Sequence, residues 1–79
     1  MYDVNSLGFI LADSIEKTQM IEEVEKETGK TSKNGEKARI ELETIFKIVH
    51  AMKIDYIPAY NDERKIVSFK FNDMEFYID

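Results

Sequence analysis

The sequence predicts a single α+β domain of order ααβββ, with two helices packed on one face of a three-stranded antiparallel β-meander in a two-layer sandwich. Two observations carry this. Apolar residues recur at helical spacing up to Lys53 and alternate with polar ones after Ile54. A polar, glycine-bounded loop, Gly29 to Gly35, cuts the helical part in two. The 79 residues are expected to form one domain, 1–79, with one modest core.

The first helix is predicted over Val4 to Thr28, because Val4, Leu7, Leu11 and Ile15 share a face and Gly29 is placed to end it. Beyond Ile15 the stripe drifts, and Met20, Ile21 and Val24 fall well round from Leu7 and Leu11. Two readings follow: one continuous helix, which is preferred, or a restart near Asp13, where Asp13-Ser14-Ile15-Glu16 has the form of a capping box. Ser32 or Asn34 is placed to cap the second helix, predicted over Glu36 to Lys53. There Ala38, Leu42, Ile45, Phe46, Val49 and Met52 make a broad apolar face, and Ile40 projects away from it.

In KIVSFKFNDMEFYID, a two-residue turn at Asn72-Asp73 pairs Phe71 with Met74, Phe69 with Phe76 and Val67 with Ile78 on one face. The other face then pairs Lys70 with Glu75 and Ser68 with Tyr77, so an apolar face opposes a polar one in a single register. The preceding IDYIPAY reads as a third strand. A connection at Asp62-Glu63-Arg64 sets Ile57 and Ala59 opposite Phe69 and Val67, and Pro58 marks the strand as an edge. The sheet face away from the helices is then expected to carry Tyr56, Tyr60, Ile66, Ser68, Lys70, Glu75 and Tyr77, with Asp55, Glu75 and Asp79 at its margins.

The net charge of −5 argues against direct binding of nucleic acid or of an anionic membrane, both of which need Lys and Arg to neutralise phosphate. The charge is segregated: Met1 to Thr28 sums to −5, Gly29 to Lys53 to +3, and Ile54 to Asp79 to −3. With no cysteine there are neither disulfides nor thiolate ligands, which fits a reducing cytosol. No basic n-region precedes an apolar run, and the longest such run, Leu7 to Ala12, is too short for a signal peptide or a membrane span, so the expected location is cytoplasmic.

Gly29-Lys30-Thr31 has the ending of a phosphate-binding loop, but such a loop needs glycine where Val24 stands and must open a helix rather than close one. His50 has neither a second histidine nor a cysteine with which to build a zinc site or a triad. The acids near the turns do not match a calcium loop, and paired carboxylates need a cleft that a domain of this size has little volume to form. The expectation is therefore a protein that is not an enzyme and carries no cofactor or metal.

Two surfaces are candidates for a partner. Asp13, Glu16, Glu23 and Glu27 project on a similar side of the first helix, where carboxylates can stand in for phosphates before a basic groove. Tyr56, Tyr60, Ile66 and Tyr77 would form a contact patch on the open sheet face. In general character, a short, acidic, cysteine-free, Lys/Glu-rich chain with an aromatic C-terminal hairpin, the sequence resembles the small inhibitor proteins of bacteriophages and mobile elements, anti-CRISPR proteins among them. That resemblance implies an inhibitor of a nucleic-acid-handling host protein, with a basic protein as partner. The alternative expectation is a homodimeric structural or regulatory subunit that buries the tyrosine-rich face, or Ile40, against its copy.

Overall fold

A computed structural model describes residues 3–78, and Asp79, expected at the sheet margin, lies outside them. The order is α1 (Val4–Thr28), α2 (Lys33–Ala51), β1 (Tyr56–Tyr60), β2 (Ile66–Phe71) and β3 (Met74–Tyr77). The strands form one antiparallel sheet in the order β1-β2-β3, with the helices packed on one of its faces.

α1 is continuous through Asp13. Asp3 caps it by accepting a hydrogen bond from the Ser6 N–H at 2.7 Å, and Gly29 ends it in the left-handed region at φ 72°, donating its N–H to the Glu25 carbonyl. Ser32 caps α2 by accepting from the Gly35 N–H at 3.0 Å, so α2 starts at Lys33 rather than Glu36. Ile40 is exposed, as its position off the apolar arc implied.

Leu7, Leu11 and Ile15 of α1 meet Val49 of α2 and the rings of Phe69, Phe71 and Phe76. Phe69 lies 5.1 Å from Phe71 and 5.3 Å from Phe76 between ring centroids, contacts worth about 1 kcal/mol each beyond the area they bury. The β2–β3 hairpin has the expected register: Phe71 opposite Met74, Lys70 opposite Glu75, Phe69 opposite Phe76, and Ser68 opposite Tyr77.

β1 departs from expectation. The connection does turn at Asp62-Glu63-Arg64, closed by the Asn61 N–H donating to the Lys65 carbonyl at 2.9 Å, with Arg64 at φ 63°. A bulge then makes Val67 an extra residue: Tyr60 faces Ile66, but Ala59 faces Ser68, Pro58 faces Phe69 and Tyr56 faces Phe71. Cross-strand partners share a face, so Tyr56 and Pro58 turn toward the helices, while Ile57 and Ala59 turn to the open face beside Lys70 and Ser68. Ile57 and Val67, expected inside, are exposed, and Ile66, expected outside, packs against the core.

Pro58 supplies the reason. The Asp55 carbonyl accepts from the Asn72 N–H, and the Val67 carbonyl accepts from the Ile78 N–H, both at 2.9 Å. In that phase Ser68 and Lys70 turn their backbone groups toward β1 and Phe69 turns its own toward β3. Opposite Ser68, Pro58 would leave a rung without its donor; opposite Phe69, its nitrogen faces the outer edge, where no donor is needed.

Candidate protein-binding surface

α1 has 25 residues and runs about 37 Å, whereas strands of four to six residues span at most about 20 Å. Its second half therefore extends past the sheet, and its chief neighbour there is the N-terminal half of α2. The last hydrogen bonds from α1 to a strand are made by Gln19, whose carboxamide donates to the Ile66 carbonyl at 3.2 Å and accepts from the Ile66 N–H at 2.8 Å. Beyond it, Glu25 faces α2. One carboxylate oxygen accepts from Arg39 at 2.9 Å, and the other accepts from the Ser32 N–H at 2.7 Å and from the Ser32 hydroxyl at 3.2 Å. That carboxylate fastens the end of α1 to both the interhelical loop and α2.

Hydrogen bonds from Arg39 and then from the Ser32 backbone hold Glu25 at about 2, well below its ordinary value of 4.5. A depressed carboxylate stabilises the fold above its unfolded value, and that contribution disappears as pH falls through the folded one. The melting temperature is thus expected to fall as the pH drops from about 4.5 to about 2, with Asp3 and Glu23, also lowered, adding to the slope. Glu25→Gln should flatten that acid limb and lower the melting temperature at neutral pH. An unchanged acid limb in thermal melts would mean that the clasp does not form.

Because the Glu25 side faces α2, the opposite side of α1 faces water. There Asp13, Glu16, Met20, Glu23 and Glu27 follow one another at intervals of three and four residues, with Val24 beside them. Met20 is 64% and Val24 58% exposed, and the two line shallow grooves with Glu16, Glu23 and Glu27 on one side and with Lys30, Thr31, Ser32 and Asn34 on the other. The four acids expected on one side of the helix are thus brought together. Glu23 is an exception in charge, since it is ion-paired with Lys65, which also lies 3.9 Å from Glu63. Among the described residues Asp13, Glu16 and Glu27 make no ion pair, so the ridge keeps three uncompensated carboxylates around two exposed apolar side chains.

The tyrosine patch does not assemble. Tyr56 is on the helix side, half-buried against the core, 5.2 Å from Phe46 and 5.6 Å from Phe69 between ring centroids. Tyr60 stands opposite Ile66 on the helix side, exposed at the margin, and Ile66 is covered. Only Tyr77, 69% exposed, is on the open face, with Ile57, Ala59, Ser68, Lys70 and Glu75 around it. The bulge at Val67 is the physical cause of the whole correction.

The buried Tyr56 hydroxyl has no hydrogen-bond partner among the described residues, and burial, with Tyr60 nearby, pushes its ionisation up to about 12. A desolvated hydroxyl without a partner is a cost to folding, so Tyr56→Phe is expected to raise stability by about 1 kcal/mol in chemical denaturation. A loss of similar size would show that the hydroxyl is bonded in solution.

Compared with protein-family models, with curated proteins and with solved structures, the chain matches none. The surface has to be judged on its own chemistry. No group of three or more His, Cys, Asp or Glu side chains is arranged to hold a metal ion among the described residues, and no described helix is long and apolar enough to cross a membrane. Sequence reasoning missed Gln19, Glu25 and Arg39, which set how α1 is held and hence which of its sides is presented. The available signal was position: Gln19 lies four residues after Ile15 and Glu25 seven after Thr18, both on the buried arc.

Proposed function

We propose that this protein is a non-enzymatic binding module that engages a basic protein through the outer ridge of α1. The observation that carries this is the interleaving of Asp13, Glu16 and Glu27, which make no ion pair among the described residues, with the exposed Met20 and Val24. Uncompensated carboxylates steer a cationic partner and set its orientation, and the apolar side chains add contact area once water is expelled. A surface that normally holds phosphates has this complementary character, so the reading extends to an inhibitor of a nucleic-acid-handling protein, acting as a nucleic-acid mimic of the phage or anti-CRISPR kind. The reading of a homodimer through a tyrosine-rich sheet face has less support, since three of its four residues are on the helix side.

The test uses immobilised protein and bacterial lysate, in parallel with a Glu16→Lys/Glu27→Lys variant; Glu23 is avoided because Lys65 already neutralises it. The expected result is a basic protein retained by the parent, lost from the variant, released by salt and displaced by added DNA. Equal retention by both forms, or retention that DNA does not affect, would remove the mimicry reading.

A further inference from the structure

We propose that the outer edge of β3 pairs with the same edge of a second copy of this chain, antiparallel about Phe76, joining two three-stranded sheets into one of six strands. Among the described residues no strand pairs with that edge. The phase fixed by the Ile78–Val67 hydrogen bond gives Phe76 its rung with Phe69, so Glu75 and Tyr77 turn their N–H and C=O groups outward. The β1 edge is unlike it, because Pro58 presents there a nitrogen that cannot donate. One edge of the sheet is blunted and the other is an open template.

The β3 edge is complementary to itself. With Phe76 opposite its own copy, Glu75 of each chain lies opposite Tyr77 of the other, and each of these two pairs exchanges two backbone hydrogen bonds. On the open face every carboxylate then meets a phenol rather than another carboxylate. These groups are already compatible partners, since the Glu75 carboxylate next to Tyr77 within one chain raises the Tyr77 phenol above its usual range.

The helix side has a matching feature. Phe9 of α1 is 64% exposed and stands perpendicular to Phe76, with ring centroids 5.3 Å apart. Phe9, Asn5 and Ala12 make one wall of a groove whose other wall is Met74 to Tyr77. An incoming β3 sets the exposed Phe9 of the copy beside that groove, which covers a large aromatic side chain otherwise left in water. A two-fold axis near Phe9 also sends the acidic C-terminal halves of the two α1 helices in opposite directions. Met20 and Glu27 stay open, so this pairing does not depend on the partner reading above.

The chain has no cysteine, which permits a clean test. In this register position 75 of one chain lies about 5.5 Å from position 77 of the other between Cα atoms, within disulfide reach, whereas identical positions are displaced along the strand beyond it. An oxidised equal mixture of the Glu75→Cys and Tyr77→Cys proteins should therefore give covalent dimer, and neither protein alone should do so. Sedimentation of the parent at high micromolar concentration should show a dimer that strengthens with salt, because each chain carries −5. Tyr77→Pro, which removes an outward donor while leaving the β2 ladder intact, should weaken it about tenfold or more. A monomer throughout that range overturns the proposal. So does a dimer in which the mixture fails to cross-link or the single variants cross-link equally well.

Discussion

Gly8→Val should cost about 3 kcal/mol of unfolding free energy, a large part of what a small domain possesses. A Cβ on Gly8 would run into the outer edge of the Phe76 ring. That ring cannot step aside: it is 6% exposed and stacked on Phe69 at an interplanar angle of 16°, with Phe71 and Phe9 against its other sides. Glycine inside a helix is otherwise a liability of about 0.5–1 kcal/mol relative to alanine. Helix propensity therefore favours replacement, and only the ring opposes it. Urea titrations of Gly8→Ala and Gly8→Val decide the matter. If either variant matched or exceeded the parent in stability, Phe76 would not lie against the backbone of α1, and the docking of helix on sheet described above would be wrong.

Gln19→Leu should cost about 2 kcal/mol, although leucine is as good a helix former and more apolar. The carboxamide of Gln19 acts as one rung of a ladder, satisfying both backbone groups of Ile66 at the point where β2 leaves its regular pairing. Leucine would leave both groups partly buried and without partners, and would free the bulge to move. Hydrogen exchange at the Ile66 amide is the sharper readout, since it should speed up by more than the global loss of stability requires. Unaltered exchange there would mean that Gln19 is an incidental contact.

The helices and the hairpin were legible because one periodicity dominated each. From Val67 to Ile78 the aliphatic and phenylalanine side chains alternate onto one face of the hairpin, so a slip by one residue would have reversed both faces, and Asn72-Asp73 fixed the turn. β1 lacked that protection. In Tyr56-Ile57-Pro58-Ala59-Tyr60 both parities are apolar, and pattern alone cannot choose between them. The deciding fact was the missing N–H of Pro58 set against the hydrogen-bonding phase of the hairpin, a matter of backbone chemistry rather than hydropathy. It would have placed Pro58 opposite Phe69, required an extra residue before it in β2, and moved Tyr56 inside. The acidic ridge was legible because a helix repeats simply. Its pairing was not, because Lys65 reaches Glu23 only through the β1–β2 turn, 42 residues along the chain.

The reach of α1 beyond the sheet gives the molecule two regions of unequal resistance to opening. From Met20 to Thr28 no aromatic pair among the described residues involves the helix, which is held by polar contacts, Glu25 to Arg39 and Ser32 and Glu23 to Lys65 of the β1–β2 connection. The amides of this segment are expected to exchange through local fluctuations, well short of global unfolding, while Phe69, Phe71 and Phe76 hold the sheet and the first half of the helix together. A partner seated along Met20 and Glu27 would quench those fluctuations. Part of its binding free energy would go into ordering the helix it grips, which leaves the complex quicker to dissociate than its contact area alone would suggest.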